Sequence, residues 1–124
     1  MLRISVLSEE DPLFSEIEKK INQNDSIDIQ IFQHNLELIN HFLSHYASLV
    51  ILDVDLLKNE ILEMIQVLKS IHPDCKIVLF LSPENMSFCS AALSLGVISY
   101  QLKPLSVKAV VDFITSLLNI TIDQ

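Results

Sequence analysis

What most limits the folds open to this chain is a strict alternation of two periodicities. Short apolar runs that read as strands are each followed by a longer segment with helical spacing, five times over, with no repeat or linker between them. Leu2–Leu7 is the first run. Asp11-Pro12 then supplies an N-cap and a first helical residue for a helix striped by Leu13, Phe14, Ile17 and Ile21. Ile27-Asp28-Ile29-Gln30-Ile31 alternates as a strand with one wet face does. The second helix is expected to turn Leu36, Ile39, Phe42, Leu43 and Tyr46 inward and His34, His41 and His45 to solvent. Leu49–Leu52 is a third strand, and Ile61, Met64, Ile65, Leu68 and Ile71 mark a third helix that His72-Pro73 ends. Ile77–Leu81 is wholly apolar, and a short helix with Phe88, Ala91, Ala92 and Leu95 stops at Gly96, the only glycine. A fifth strand, Val97–Leu102, precedes a last helix capped by Ser106 and striped by Val107, Val110, Val111, Ile114, Leu117 and Leu118.

Strands separated by helical crossovers pair in parallel, so the pattern implies a doubly wound α/β sheet with helices on both faces. Strands three and four are continuously apolar, as central parallel strands are. Strand two alternates, and so does strand five, with Ile98, Tyr100 and Leu102 set against Ser99 and Gln101; these two read as edges. The order 2-1-3-4-5 follows, with its switch point between strands one and three. A length of 124 residues suits one domain, residues 1–124.

Composition removes several function classes. The net charge is −8 and the chain has a single arginine, so this domain is not expected to grip a phosphate backbone. No apolar run approaches membrane-spanning length and the first residues lack a signal-peptide layout, which predicts a soluble, cytoplasmic protein with no membrane contact. Cys75 and Cys89 stand in no metal or redox spacing and read as small hydrophobes of a reducing compartment.

The chemistry gathers where the strands end. After strand one come Ser8, Glu9, Glu10 and Asp11; strand three runs into Asp53 and Asp55; strand four stops at Ser82 and strand five at Lys103. In a doubly wound sheet, ligands bind outside these carboxyl ends. Clustered carboxylates repel unless a cation or proton intervenes, and oxygen donors with open water positions suit Mg²⁺. A hydroxyl and an ammonium opposite the metal suit phosphoryl oxygens.

With these residues in place, the whole chain resembles the receiver domain of two-component response regulators, a divergent member with the flavodoxin-like (βα)5 fold. That family carries acidic residues after strand one and a phosphoacceptor aspartate ending strand three. A Ser or Thr ends its strand four and Lys-Pro its strand five. Glu9, Asp53, Ser82 and Lys103-Pro104 match in order and spacing. The resemblance implies a phosphoprotein of a phosphorelay: Asp53 accepts a phosphoryl group from a histidine kinase or phosphotransfer protein. It implies Mg²⁺ held by Glu9 (Glu10 in a shifted frame), Asp53 and the backbone carbonyl of Asp55. Lys103 and Ser82 would bind phosphoryl oxygens. Ser82 and Tyr100 would act as the switch pair, remodelling the face of helix four, strand five and helix five for an effector or a second copy. It implies no enzyme beyond catalysis of its own phosphorylation and dephosphorylation.

The chain departs from that pattern at Ser8, where the family has an acid, and at Leu57 and Ile61, where it has proline and glycine. Pro83, which has no N–H, follows Ser82 in place of a small residue. Ser8 and Pro83 support a second reading: a pseudo-receiver that signals by protein contact without phosphorylation. Bland readings stand beside the sharp ones. Asp11 serves mainly as a helix cap, Lys103 could be an ordinary solvated lysine, and Tyr100 an ordinary edge aromatic. Asp53-Val54-Asp55 is also the DxD start of haloacid-dehalogenase-like phosphatases, but that motif follows a first strand, whereas two strands precede Asp53. A flavin is not expected, because Ser8-Glu9-Glu10-Asp11 would repel its phosphate.

Overall fold

The computed structural model describes residues 2–9, 11–21, 23 and 26–118. Its strands are β1 (Leu2–Leu7), β2 (Ile27–Phe32), β3 (Leu49–Asp53), β4 (Lys76–Leu81) and β5 (Ser99–Leu102). They form one parallel sheet in the order β2-β1-β3-β4-β5, as the apolar patterns of the strands imply. The five principal helices are α1 (Asp11–Ile21), α2 (Asn35–Ser44), α3 (Ile61–Ile71), α4 (Cys89–Ser94) and α5 (Val107–Leu118). A single helical turn, Val54–Leu57, and a 3-10 turn, Lys58–Glu60, lead into α3, and a 3-10 stretch, Pro83–Phe88, leads into α4. Among the described residues no helix is long and apolar enough to cross a membrane.

Each central strand divides its side chains between two cores. Val50 and Leu52 of β3, with Ile77, Leu79 and Leu81 of β4, pack against Leu38 and Phe42 of α2 and Ile61, Ile65 and Leu68 of α3. Leu49, Ile51, Val78 and Phe80 face the other way, onto Phe14 and Ile17 of α1 and Val110, Val111 and Ile114 of α5. Phe80 joins that second layer by packing on Phe14 at 6.0 Å and Phe113 at 6.1 Å between ring centroids. Burial on both faces is what strands without polar alternation require.

Two local expectations change. The buried face of α2 is Leu38 and Phe42, with Ile39 partly covered, while Leu36, Leu43 and Tyr46 are exposed. Phe42 and Ile39 thus face the sheet as expected, but the buried stripe is rotated toward Leu38 and away from Leu36 and Leu43, since Leu38 and Phe42 are the pair one turn apart that meets the core. His41 accordingly lies half-buried with its ring 5.4 Å from Phe32, rather than in solvent. Burial, and then the neighbouring His45, lower its pKa. At the fifth strand, Ile98 just before β5 and Leu102 at its end are exposed, while Ser99, Tyr100 and Gln101 are half-buried, so the apolar set of this edge strand is only partly covered.

Helix α4 ends as its glycine predicts. Val97 N–H donates to Ala92 O at 3.2 Å and Gly96 N–H to Leu93 O at 3.1 Å, the paired bonds of a Schellman cap, with Gly96 at φ 104°. A Cβ at Gly96 would meet Lys69 Cε at 3.2 Å, and the backbone conformation is one that side chains resist. Gly96→Ala is expected to cost about 1–2 kcal/mol, read as a lower urea midpoint with an unchanged slope.

Candidate functional site

Strand β3 ends on a carboxylate because three donor groups await it there and make four hydrogen bonds to it. Asp53 is the last residue of β3 and only 3% exposed, a placement that costs several kcal/mol for an unpaired charge. Lys103 Nζ donates to both of its oxygens, at 3.0 Å to Oδ1 and 2.9 Å to Oδ2. Ser8 Oγ donates to Oδ2 at 3.0 Å, and the Asp55 N–H donates to Oδ1 at 3.0 Å. The last contact makes Asp53 the N-cap of the turn Val54–Leu57.

The sheet delivers these partners. Ser8 N–H bonds to Phe32 O at 3.0 Å and Lys103 N–H to Leu81 O at 2.8 Å, so the parallel ladders continue just past β1 and β5. Both residues thus arrive at the rim level with Asp53, across 45 and 50 positions of chain. The Lys103-Pro104 bond that follows is cis.

Asp55 builds the second half of the site. Its Oδ2 accepts from Ser82 Oγ at 2.6 Å and from Lys103 Nζ at 3.0 Å. Its Oδ1 accepts from the Ser82 N–H at 3.0 Å and from Asn85 Nδ2 at 2.6 Å. Partial burial pushes the Asp55 carboxyl up, but the bonds from Ser82, Asn85 and Lys103 outweigh it and hold it well below the usual carboxylate range. One ammonium therefore joins two carboxylates, and the second ties down the loop after β4.

Of the residues singled out from sequence, Asp53, Asp55, Ser82 and Lys103 meet in one hydrogen-bonded cluster. Lys103 is no solvated lysine, since its side chain is 13% exposed. Glu9 is exposed beside the buried Ser8. Glu10 lies outside the described residues, as does the side chain of Asp11, whose backbone already belongs to α1. Tyr100 is half-buried against the core on the α2–α3–α4 face. Among the described residues no group of three or more His, Cys, Asp or Glu side chains converges to hold a metal ion.

Sequence reasoning missed three participants. Ser8 counted as a lost acid, yet its hydroxyl is a donor to Asp53. Asp55 counted as one of the clustered carboxylates and entered the implied metal site through its carbonyl, yet its carboxylate makes four polar contacts of its own, as many as Asp53. Asn85 carried no signal except its closeness to Ser82.

The sequence matches no protein-family model and no curated protein. Among solved structures it is similar to a response regulator from Thermotoga maritima, with a TM-score of 0.82 and 17% identity over 96% of this chain and 98% of that one. It is similarly close to the receiver domain of the TMAO respiratory system response regulator TorR, with a TM-score of 0.81 and 18% identity over 95% and 97%. The chain has the fold of a response regulator receiver domain. A third similar structure belongs to a family of redox sensors in the streptococci that evolved from two-component response regulators. Its TM-score is 0.83 at 17% identity, over 96% of this chain and 52% of that one.

The shared ammonium generates a stability prediction. Lys103→Met is expected to destabilise the protein by about 3–5 kcal/mol, because it leaves buried Asp53 without its cation. Adding Asp53→Asn should recover part of that loss, and denaturant titration of the two single variants and the double variant reads the coupling.

Proposed function

We propose that this chain is a receiver module of two-component signal transduction that accepts a phosphoryl group on Asp53 from a histidine kinase or phosphotransfer protein. The observation that carries this reading is the contact of Lys103 Nζ with both Asp53 oxygens, 2.9 and 3.0 Å away, at the rim where doubly wound sheets bind ligands. A carboxylate gripped at both oxygens by an ammonium is a nucleophile already positioned at the rim.

In the proposed transfer an Asp53 oxygen forms a bond to phosphorus while the bond from phosphorus to the donor imidazole nitrogen breaks, and the imidazole leaves with that electron pair. The acyl phosphate adds roughly one negative charge or more to the site. Lys103 then turns from the Asp53 carboxylate to a phosphoryl oxygen, and Ser82 supplies its hydroxyl to another. Movement of Ser82 passes to half-buried Tyr100 and to the face of α4, β5 and α5. That face carries exposed Leu93, Ile98 and Leu102, suited to an effector or a second copy of the chain. A cytoplasmic setting belongs to the same proposal and is supported by two buried free thiols, Cys75 and Cys89.

Mg²⁺ is the cofactor this reading asks for, and the donor chemistry is compatible with it. The Asp53 carboxylate, the Asp55 main-chain carbonyl and exposed Glu9 are all hard oxygens, and an ion that keeps most of its waters needs few more. When bound, Mg²⁺ neutralises charge on the transferring group. With so few protein ligands the affinity should be weak. Millimolar Mg²⁺ is expected to raise the melting temperature of the wild type and to leave Asp53→Asn nearly unmoved.

A second reading rests on one specific observation. Both Ser82 donors already go to Asp55, and the next residue, Pro83, has no N–H to offer an anionic oxygen. This favours a module that signals by protein contact without phosphorylation. The streptococcal redox sensors that evolved from two-component response regulators share the fold, so it also serves proteins that sense a different signal.

Intact-mass measurement with Mg²⁺ and acetyl phosphate separates the two readings. A receiver gains the mass of one phosphoryl group, and Asp53→Asn gains none. Restoring one charge-assisted donor is worth about 1.5–3 kcal/mol, so Pro83→Ala should label roughly tenfold faster or more than wild type. If neither protein labels, the phosphoacceptor reading fails and the contact-only module replaces it.

A further inference from the structure

Asp55 is bonded as a ligand is bonded. Its carboxylate gathers a main-chain N–H and a hydroxyl from Ser82, an amide from Asn85 and the ammonium of Lys103, all between 2.6 and 3.0 Å. These donors come from the ends of two different strands and converge on one pair of oxygens. Nothing in the fold demands that arrangement of an ordinary loop aspartate, since the turn Val54–Leu57 is capped by Asp53 and not by Asp55.

We propose that the Asp55 carboxylate acts as a tethered competitor for the phosphoryl-oxygen donors Ser82 and Lys103, a set to which Asn85 adds a third group, so that Asp55 fills an oxyanion site otherwise open to a tetrahedral phosphoryl-type group. The proposal rests on the receiver reading above for the identity of the incoming anion, while the anion site itself stands on the donor geometry. Two consequences follow. A phosphoryl group on Asp53 must displace Asp55 before it gains Ser82 or the full attention of Lys103, which slows its formation. Until that happens the loop from Ser82 to Phe88 is drawn toward the rim by an internal anion, in the way an external one would draw it.

A tethered carboxylate at contact distance competes at a high effective concentration, so free phosphate has no access in the wild type. Removing the side chain at 55 leaves the backbone carbonyl in place and opens the site.

The test uses the full chain with inorganic phosphate as the probe, compared with sodium chloride at equal ionic strength. The melting temperature of Asp55→Ala should rise with phosphate while that of wild type stays level, and the double variant Asp55→Ala/Ser82→Ala should lose most of the response. Asp55→Ala should also label with acetyl phosphate about tenfold faster than wild type, the rate equivalent of about 1.4 kcal/mol. Asp55→Ser, which is shorter but polar, replaces Asp55→Ala if circular dichroism shows the alanine variant unfolded. An alanine variant indifferent to phosphate, or a double variant that responds as strongly, overturns the anion site. Equal, measurable labelling rates overturn the competition. A variant that binds phosphate yet never labels upholds the anion site and sinks the phosphoacceptor reading instead.

Discussion

The contact on which the site depends is that of the Lys103 ammonium with two carboxylates, Asp53 at 2.9 Å and Asp55 at 3.0 Å. Asp53 finishes a strand whose other residues are all buried hydrophobes, and it is itself nearly inaccessible. A charge in that position is tolerable only with a cation and with its remaining lone pairs filled. Ser8 and the Asp55 N–H fill them. The site is therefore a condition for ending β3 where it ends, as well as a place where chemistry can happen.

The topology makes that condition easy to meet. With β1 beside β3 and β4 followed by β5, the order β2-β1-β3-β4-β5 puts the ends of strands distant in sequence along a single rim. Ser8, Asp53, Ser82 and Lys103 each stand at or just past a strand end, so one sheet register aligns all of them. The two cores pin this register, because slipping a central strand by one residue would exchange its α2–α3 side chains with its α1–α5 side chains. Packing far from the rim thus holds the distances at the rim.

What was legible in the sequence follows the same division. Continuous burial writes itself as unbroken apolar runs, so β3 and β4, the edges and the strand order could all be read. Caps with a stereochemical requirement were legible too: Gly96 at φ 104° ends α4, and Ser106 Oγ accepts from the Ala109 N–H at 3.1 Å at the start of α5. The exact face of α2 was not, because Leu36, Leu38, Ile39, Phe42 and Leu43 spread over nearly half of the helix circumference and only the sheet selects which part of that arc is buried. The turn at Lys58 was hidden for a different reason: its positive φ of 48° falls on a lysine, with no glycine to announce it. At the site, residues at strand ends were legible by position. Asn85 and the Asp55 carboxylate were not, since they depend on how the loop after β4 folds back.

Ser8, Pro83 and Asp55 belong together physically. Ser8 is uncharged and adds no negative charge to the rim, and its hydroxyl donates to Asp53. Pro83 removes a main-chain donor from the loop that faces an incoming anion. Asp55 then takes the donors that remain there, Ser82 and Asn85, and shares Lys103 with Asp53. Each of these features reduces the dependence of the rim on an external cation and an external phosphoryl group. Together they leave a cluster whose charges and donors are nearly satisfied from within. A receiver fold built this way has its β4–α4 loop tied down from within by Asp55. Under either proposed reading, a change at the rim that reaches that loop must first break Asp55 away from it, whether the agent is a phosphoryl group on Asp53 or a partner protein.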